Sequence, residues 1–219
     1  MGGVADFFET AYEGTPAWDI GRSQPAVLRL AEAGLIVGSV LDVGCGTGEN
    51  ALELARRGHD VLGVDRVERA IAKARAKARE RRLDAAFLVW DALRLDELGR
   101  TFDTAIDVGL FHTLQDEERP VYAASLRAAL RPGGRAFLLC WSDRNPWGYG
   151  PRRVTRREIR RTFSGPAWRV DGIDPETLDS HLEPGRVHAW LARLEAAPRS
   201  PTGPGRRAAG RGLGQSRTG

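Results

Sequence analysis

Between Ser39 and Leu194, short β-branched and aliphatic runs alternate with longer stretches whose apolar positions recur at helical spacing. That alternation is the signature of βαβ units around a parallel sheet. Val40-Leu41-Asp42-Val43 reads as a first strand, and Asn50 to Arg57 as a helix with Ala51, Leu52, Leu54 and Ala55 inward, ended by Gly58. Asp60 to Val64 is the second strand. Glu68 to Arg82 is a long helix with Ala70, Ile71, Ala74 and Ala78 on one stripe and its arginines and lysines on a solvated face. Ala85 to Trp90 is the third strand. Thr104 to Val108 is the fourth, and it needs no strict alternation because a central parallel strand is buried on both faces.

Asp116 to Leu130 reads as a helix carrying Val121, Ala124, Leu126 and Leu130, stopped at Arg131-Pro132-Gly133-Gly134. Proline cannot continue a helix, and the glycines allow a tight turn. Arg135 to Trp141 is a fifth strand. Thr155 to Phe163 is a helix whose Thr155 and Glu158 form a capping box. Trp168 to Ile173 and Val187 to Leu194 read as two last strands joined by Asp174 to Arg186, and no internal repeat is visible.

A chain of 219 residues points to one globular domain. With 42% hydrophobic and 28% charged residues, wholesale disorder is excluded. The longest apolar runs, Ala85 to Trp90 and Ala136 to Trp141, fall far short of the roughly 20 residues a membrane helix needs. The N-terminus lacks the basic and apolar regions of a signal peptide, and Asp6 stands where a myristoylation signal wants Ser or Thr. Cys45 and Cys140 are too few for a disulfide framework and lie at no metal-ligand spacing, so no metal is expected. A soluble, cytoplasmic protein is the expectation, with no membrane partner.

The net charge of +4 and pI near 9.6 suggest a polyanion partner until the charges are located. Of the 33 basic residues, Arg199, Arg206, Arg207, Arg211 and Arg217 follow the last acid, leaving 28 against 29 acidic residues in the body. The basicity therefore belongs to a Pro/Gly/Arg tail over 197–219, expected to be disordered. A near-neutral body argues against nucleic acid as a partner. The body then divides into an N-terminal segment over 1–34 and a βαβ domain over 35–196.

The chemistry centres on Asp42-Val43-Gly44-Cys45-Gly46-Thr47-Gly48, between a strand and a helix. Glycines there let the backbone turn tightly and a ligand approach closely, at the N-terminus of the next helix. A dinucleotide fingerprint needs its third glycine at 49, where Glu49 stands. By charge, a pyrophosphate would be repelled by Glu49 and Asp42, whereas a cationic or zwitterionic cofactor would not. This spacing weighs against a nicotinamide-dependent oxidoreductase.

Val40 to Gly48 resembles motif I of the class I S-adenosylmethionine-dependent methyltransferases, and the resemblance continues in order. Gly63-Val64-Asp65 is similar to the acidic position that holds the ribose hydroxyls, with Arg66 beside it. Trp90-Asp91-Ala92 resembles the segment that reaches the adenine amino group. Phe102 to Asp107 resembles the fourth-strand motif, and Leu130 to Gly134 the turn before the fifth strand. The resemblance implies a Rossmann-like α/β fold: a doubly wound, mostly parallel seven-stranded sheet of order 3-2-1-4-5-7-6, strand 7 antiparallel. It implies S-adenosyl-L-methionine as cofactor, held by Asp42, Gly44, Gly46, Gly48, Asp65, Arg66, Asp91, Ala92 and Asp107. A methyltransferase acting on nucleic acid stays an alternative.

Gly14-Thr15-Pro16-Ala17-Trp18-Asp19-Ile20-Gly21-Arg22, with Pro25 following, is similar to the N-terminal segment of the thiol and halide methyltransferases, relatives of the thiopurine methyltransferases. Ala17 is an insertion relative to that pattern, and Phe8 and Tyr12 stand where tryptophans are more usual. The resemblance implies a segment folding over the cofactor, with Trp18 covering it and Tyr12 facing a small-molecule acceptor, a thiol or other soft nucleophile. His112, just beyond the fourth strand, is the candidate base, since imidazole titrates in the useful range; a structural role is the alternative. Trp141, Trp147 and Tyr149 follow the fifth strand and are candidate acceptor contacts, with loop packing the plain alternative. Arg152, Arg153, Arg156, Arg157, Arg160 and Arg161 crowd the next helix, where the first of them could receive an acidic acceptor. A monomer or homodimer is expected.

Overall fold

The anticipated strand–helix alternation is realised in a computed structural model that describes residues 4–148 and 150–198. Tyr149 and the tail beyond 198 lie outside the described residues. Two short helices, α1 (Val4–Ala11) and α2 (Pro25–Glu32), precede β1 (Val40–Val43). Then come α3 (Glu49–Arg56), β2 (Val61–Asp65), α4 (Glu68–Arg81), β3 (Ala85–Val89) and β4 (Phe102–Val108). The chain ends in α5 (Glu118–Ala129), β5 (Leu130–Trp141), α6 (Arg156–Thr162), β6 (Trp168–Asp179) and β7 (Arg186–Ala196).

The sheet order is β3-β2-β1-β4-β5-β7-β6. Pairing is parallel from β3 to β5, and β7 runs antiparallel to both its neighbours. The order reverses between β1 and β4, and the crevice at the carboxyl ends of strands at such a switch point is where open α/β sheets bind ligands. Side-chain alternation gives the sheet two buried faces. Leu41 and Val43 of β1 join Tyr122, Leu126, Ile159 and Phe163 of α5 and α6 on one side; Val40 joins Leu52, Ile71 and Val27 of α3, α4 and α2 on the other. Full burial of a large aliphatic side chain is worth about 1.5–3 kcal/mol, so these layers hold the strand ends in fixed register.

Three expectations are corrected. On α5 the buried stripe is Arg119, Tyr122, Ala123, Leu126 and Ala129, whereas Val121 is 49% exposed and Ala124 faces solvent. The stripe has helical period; Arg119 and Tyr122 disguise it because each carries polar atoms into the interior. The Arg131–Gly134 turn is absorbed into β5 as an irregularity opposite Phe102 and Thr104 of β4. The expected linker from Asp174 is strand as far as Asp179. Pro175 is tolerated there because β6 is an edge strand, paired only with β7, so a missing N–H costs no ladder bond on the open side.

Candidate active site

The glycine loop is shaped by what fills the space its glycines leave. Gly46 and Gly48 have φ of 54° and 85°, which a residue with a Cβ adopts only at a cost. A Cβ at Gly46 would lie 2.7 Å from the Tyr12 hydroxyl, and one at Gly48 2.8 Å from the Phe87 ring. Gly44 and Cys45 donate to the Val64 carbonyl (2.8 and 2.9 Å), and Gly46 donates to Asp65 Oδ2 (2.9 Å). The loop is thus stitched to the end of β2.

Asp65 closes that stitch. Its Oδ1 accepts from Val67 N–H at 2.9 Å, so each carboxylate oxygen takes one backbone donor and keeps a lone pair. Burial pushes its pKa up against those donors and the nearby Arg66. Arg66 is exposed beside it. Asp91 caps the 3-10 turn Ala92–Leu98, its Oδ1 accepting from Leu93 N–H at 2.9 Å, and Ala92 presents its carbonyl to Ser125 Oγ.

Asp42 and Asp107 lie at the centre of the sheet and are buried. Asp42 Oδ2 accepts from Ala51 N–H at 3.1 Å, fastening β1 to α3. Desolvation, with the charge of Asp107 nearby, pushes Asp42 up to about 8 against that bond. Asp107 accepts from Leu110 N–H (3.0 Å), Phe111 N–H (3.2 Å) and the Tyr122 hydroxyl (2.7 Å), and burial still pushes it up to about 7. Glu49 turns away from the loop to Lys77 and Arg81, 2.7 and 2.8 Å. Against the upward push of its burial, hydrogen bonds from Arg81 and Lys77 hold it below the usual carboxylate range. The expected repulsion of a pyrophosphate by Glu49 and Asp42 is therefore corrected: one charge is neutralised by two cations, the other is suppressed by burial.

Tyr12 is the second correction. Expected toward the acceptor, it is buried over the glycine loop with Val67 and Ala70, because the missing Cβ of Gly46 leaves room for its hydroxyl. Trp18 Nε1 donates to that hydroxyl at 2.9 Å, and its ring meets Phe8 and Tyr12 edge-on at 5.7 and 6.0 Å. Long-range bonds hold this segment down. Asp19 accepts from Thr47 Oγ1 (2.8 Å), Asn50 accepts from Ser23 and Gln24, and Gln24 and Asp179 exchange two hydrogen bonds of 2.9 Å. Arg22 and Arg186 both pair with Asp179.

On the other side of the switch point, His112 is buried in the 3-10 turn Phe111–Thr113, and its Nδ1 accepts from Trp141 N–H at 3.2 Å. Burial first, and then the Arg119 charge, lower its pKa to about 3. Trp141 and Trp147, two of the candidate acceptor contacts, differ in exposure. Trp141 is buried with Ala26, Leu139 and Leu178, whereas Trp147 is 85% exposed; the Arg153 guanidinium lies over both rings, at 5.3 and 5.5 Å. Tyr149 lies outside the described residues. Of the arginines near α6, Arg152 is engaged by Asp116 and Glu158 at 2.7 and 2.8 Å.

Sequence reasoning missed Tyr122, Gln24, Asp179 and Phe87. Only Tyr122 left a signal, its helical spacing from Leu126 and Ala129; the Gln24–Asp179 pair spans 155 positions and has none.

The glycine loop, the carboxylate at the end of β2 and the aromatic cover together fit a nucleoside-bearing, positively charged cofactor. Comparisons agree. A family described as "Methyltransferase domain" matches residues 40–134. The chain is 38% identical over 186 residues to 2-heptyl-1-hydroxyquinolin-4(1H)-one methyltransferase of Mycobacteroides abscessus, covering 80% of this chain and 82% of that one. It is 28% identical to a probable thiol methyltransferase 2 of Arabidopsis thaliana, over 71% and 70% of the two chains. A solved structure described as "Conversion of a Disulfide Bond into a Thioacetal Group during Echinomycin Biosynthesis" superposes with a TM-score of 0.82 at 35% identity, covering 91% and 94%. Among the described residues no helix is long and apolar enough to cross a membrane. By motif order, strand order and these relatives, the chain belongs to the class I S-adenosylmethionine-dependent methyltransferases, acting on a small molecule with S-adenosylmethionine as cofactor.

Proposed function

We propose that the acceptor is a small aromatic or heteroaromatic compound methylated on an acidic sulfur or oxygen, and that it arrives already ionised. S-adenosylmethionine, when bound, supplies an electrophilic methyl group on a sulfonium. Asp65 would receive the ribose hydroxyls on its two remaining lone pairs, Asp91 the adenine edge, the glycine loop the amino-acid end, and Tyr12 and Trp18 would cover the cofactor and exclude water. Positioning of this kind supplies on the order of 7–11 kcal/mol, and stripping water from an anionic nucleophile strengthens its attack.

One observation carries the reading. His112 Nδ1 accepts from Trp141 N–H, so the imidazole proton sits on Nε2. The ring has no lone pair left for a substrate proton, and a pKa near 3 places it far from the working range of a general base. Asp42 and Asp107 are buried and bonded to the backbone. With His112 serving as a donor and both aspartates engaged by their own donors, the reading has the acceptor lose its own proton, which suits a thiol or an N-hydroxy heterocycle better than an amine or alcohol. The named chemistry of one relative at 38% identity, an N-hydroxyquinolone, supports this class, and that of a solved structure at 35% identity, a disulfide bond, supports sulfur as an acceptor that needs no base.

The test is a series of thiophenols and N-hydroxy heterocycles spanning several pKa values. The pH at which kcat/KM rises should move with each acceptor's own pKa. A rise fixed at one pH for every acceptor would reveal an enzymic base and overturn the proposal.

A further inference from the structure

Among the clefts between the described residues, two carry charges that differ in kind. One, of about 510 Å³, lies between the 15–21 segment and α4, lined in part by Lys73, Lys77, Arg81, Glu49 and Glu80. Its cations are engaged: Lys77 and Arg81 on Glu49, Lys73 on the Gly14 carbonyl at 2.7 Å. The other, of about 440 Å³, is lined by Asp143, Arg144, Thr155, Arg156, Arg157 and Trp190. Among the described residues none of its three arginines forms an ion pair.

This second cleft is built on Trp190. The indole is buried, and its Nε1 donates to Asp143 Oδ1 (2.9 Å) and to the Val154 carbonyl (3.1 Å), which fixes the ring. Arg156 stacks on it at 4.0 Å from the ring centroid, and Arg144 approaches at 6.0 Å. A guanidinium stacked on an aromatic face loses little hydrogen-bonding capacity: its N–H donors point outward in the plane, ready to fork an oxyanion. The cleft lies just past the carboxyl end of β5. Cys140 pairs in register with Trp190 and Trp141 with Ala189, so the cleft opens on the α5–α6 side of the sheet, with Trp141 on the other.

We propose that this cleft is a second ligand site, an anion clamp that receives the phosphoryl group of a small molecule. Three guanidinium charges against the one Asp143 carboxylate leave an excess of two, which matches a dianionic phosphate better than a single carboxylate. The volume exceeds what a bare phosphate fills, leaving room for the group that carries it. The site is independent of the identity of the methyl acceptor, so failure here leaves the acceptor reading untouched.

Phosphorus NMR titration of the full-length protein with inorganic phosphate and, in a second arm, phenyl phosphate tests the clamp. Saturable binding is expected, weakened about tenfold in Arg156→Gln and in Arg144→Gln. Binding should tighten in Asp143→Asn, whose amide oxygen can still accept from Trp190. Arg160→Gln, on the same helix but off the cleft, should bind as the parent does. Tighter binding of phenyl phosphate would assign the site to an aromatic phosphomonoester, and equal binding to the phosphoryl group alone. Melting temperatures equal to the parent's show that the variants are folded. Absence of saturable binding, or equal weakening in Arg160→Gln, overturns the proposal.

Discussion

The two sides of the crevice hold their acidic and basic groups by different means. On the β1–β2 side every donor is a backbone N–H: Asp65 takes Val67, two residues on, and Gly46, 19 residues back beyond α3, and Asp42 takes Ala51, nine residues on. On the β4–β5 side, Asp107 adds a side-chain donor, the Tyr122 hydroxyl of α5, to the local N–H groups of Leu110 and Phe111, and His112 is held by Trp141 at the end of the next strand, 29 residues away. The flanking Gln24 is held by Asp179 across 155 positions. The first arrangement draws only on backbone donors, so it does not depend on which side chains the neighbouring helices carry. The second depends on how helices and distant strands pack, so it can change between relatives while the cofactor side stays the same. Shared cofactor chemistry and divergent acceptors fit that division.

The sharpest way to break the comparison is at Asp107. Asp107→Ala strips the acceptor from two backbone N–H groups and a buried tyrosine hydroxyl at once. Each unsatisfied buried group costs about 1–3 kcal/mol, so a loss of about 3–5 kcal/mol is expected in urea unfolding. A loss below about 1 kcal/mol would show that these groups find other partners and that the β4 side is more forgiving than its geometry suggests.

Asp65→Ala probes the other side. If the ribose role holds, S-adenosylhomocysteine should bind about 10- to 100-fold more weakly by calorimetry, equivalent to roughly 1–3 kcal/mol for hydrogen bonds to a charged group. Stability should change less than in Asp107→Ala, because Asp65 is only partly buried and water can reach the freed N–H groups. Unaltered affinity would remove Asp65 from the cofactor site.

How much of this was legible follows the same division. The glycine loop and the helix starting at Thr155 are readable because each is written in consecutive residues, whereas the strand order is legible only through the family resemblance. The capping box is present as spacing requires: Thr155 Oγ1 accepts from Glu158 N–H at 3.1 Å, and Thr155 N–H donates to Glu158 Oε2 at 2.7 Å. The phase of α5 was misjudged because its inward residues include Arg119, whose guanidinium lies over the Phe111 ring at 4.7 Å, and a pattern of apolar letters counts that residue as exposed. Tyr12 was set on the acceptor because nothing in the sequence says that Gly46 leaves space for its hydroxyl.

A pH series separates the two central carboxylates from the rest. Asp42 and Asp107 titrate in the folded state near 8 and 7, above the ordinary value of 3.8. A group whose folded pKa is raised contributes stability fully present below the unfolded pKa and lost as pH rises through the folded one. Stability should therefore fall between about pH 4 and pH 8 on account of this pair. Glu158, held at about 2 by Thr155, Arg119 and Arg152 against its burial, contributes in the opposite sense, and its share is lost only as pH drops from its ordinary value of 4.5 through about 2. Asp42→Asn keeps an oxygen for Ala51 N–H but no charge, so its urea midpoint should fall less than the parent's between pH 5 and pH 9. Parallel curves for the two proteins would mean that Asp42 is ionised in the folded state at both ends.

The smallest expected effect is at His112, and it bears most directly on the chemistry. Asparagine places an amide oxygen where Nδ1 accepts from Trp141 N–H, so His112→Asn keeps that bond and removes the ring. A general base contributes about 10²–10⁴-fold to rate. If the imidazole is instead a neutral element of the β4–β5 side, kcat/KM should change by no more than about threefold, a barrier change below 1 kcal/mol, and its pH profile should keep the same shape. Loss of an ionisation limb together with a large drop in kcat would return His112 to the catalytic machinery. Loss of acceptor affinity alone would assign its Nε2–H to orienting the acceptor's anion. That last result would place the acceptor between the turn after β4 and the cofactor loop, on the side of the crevice whose geometry depends on distant packing.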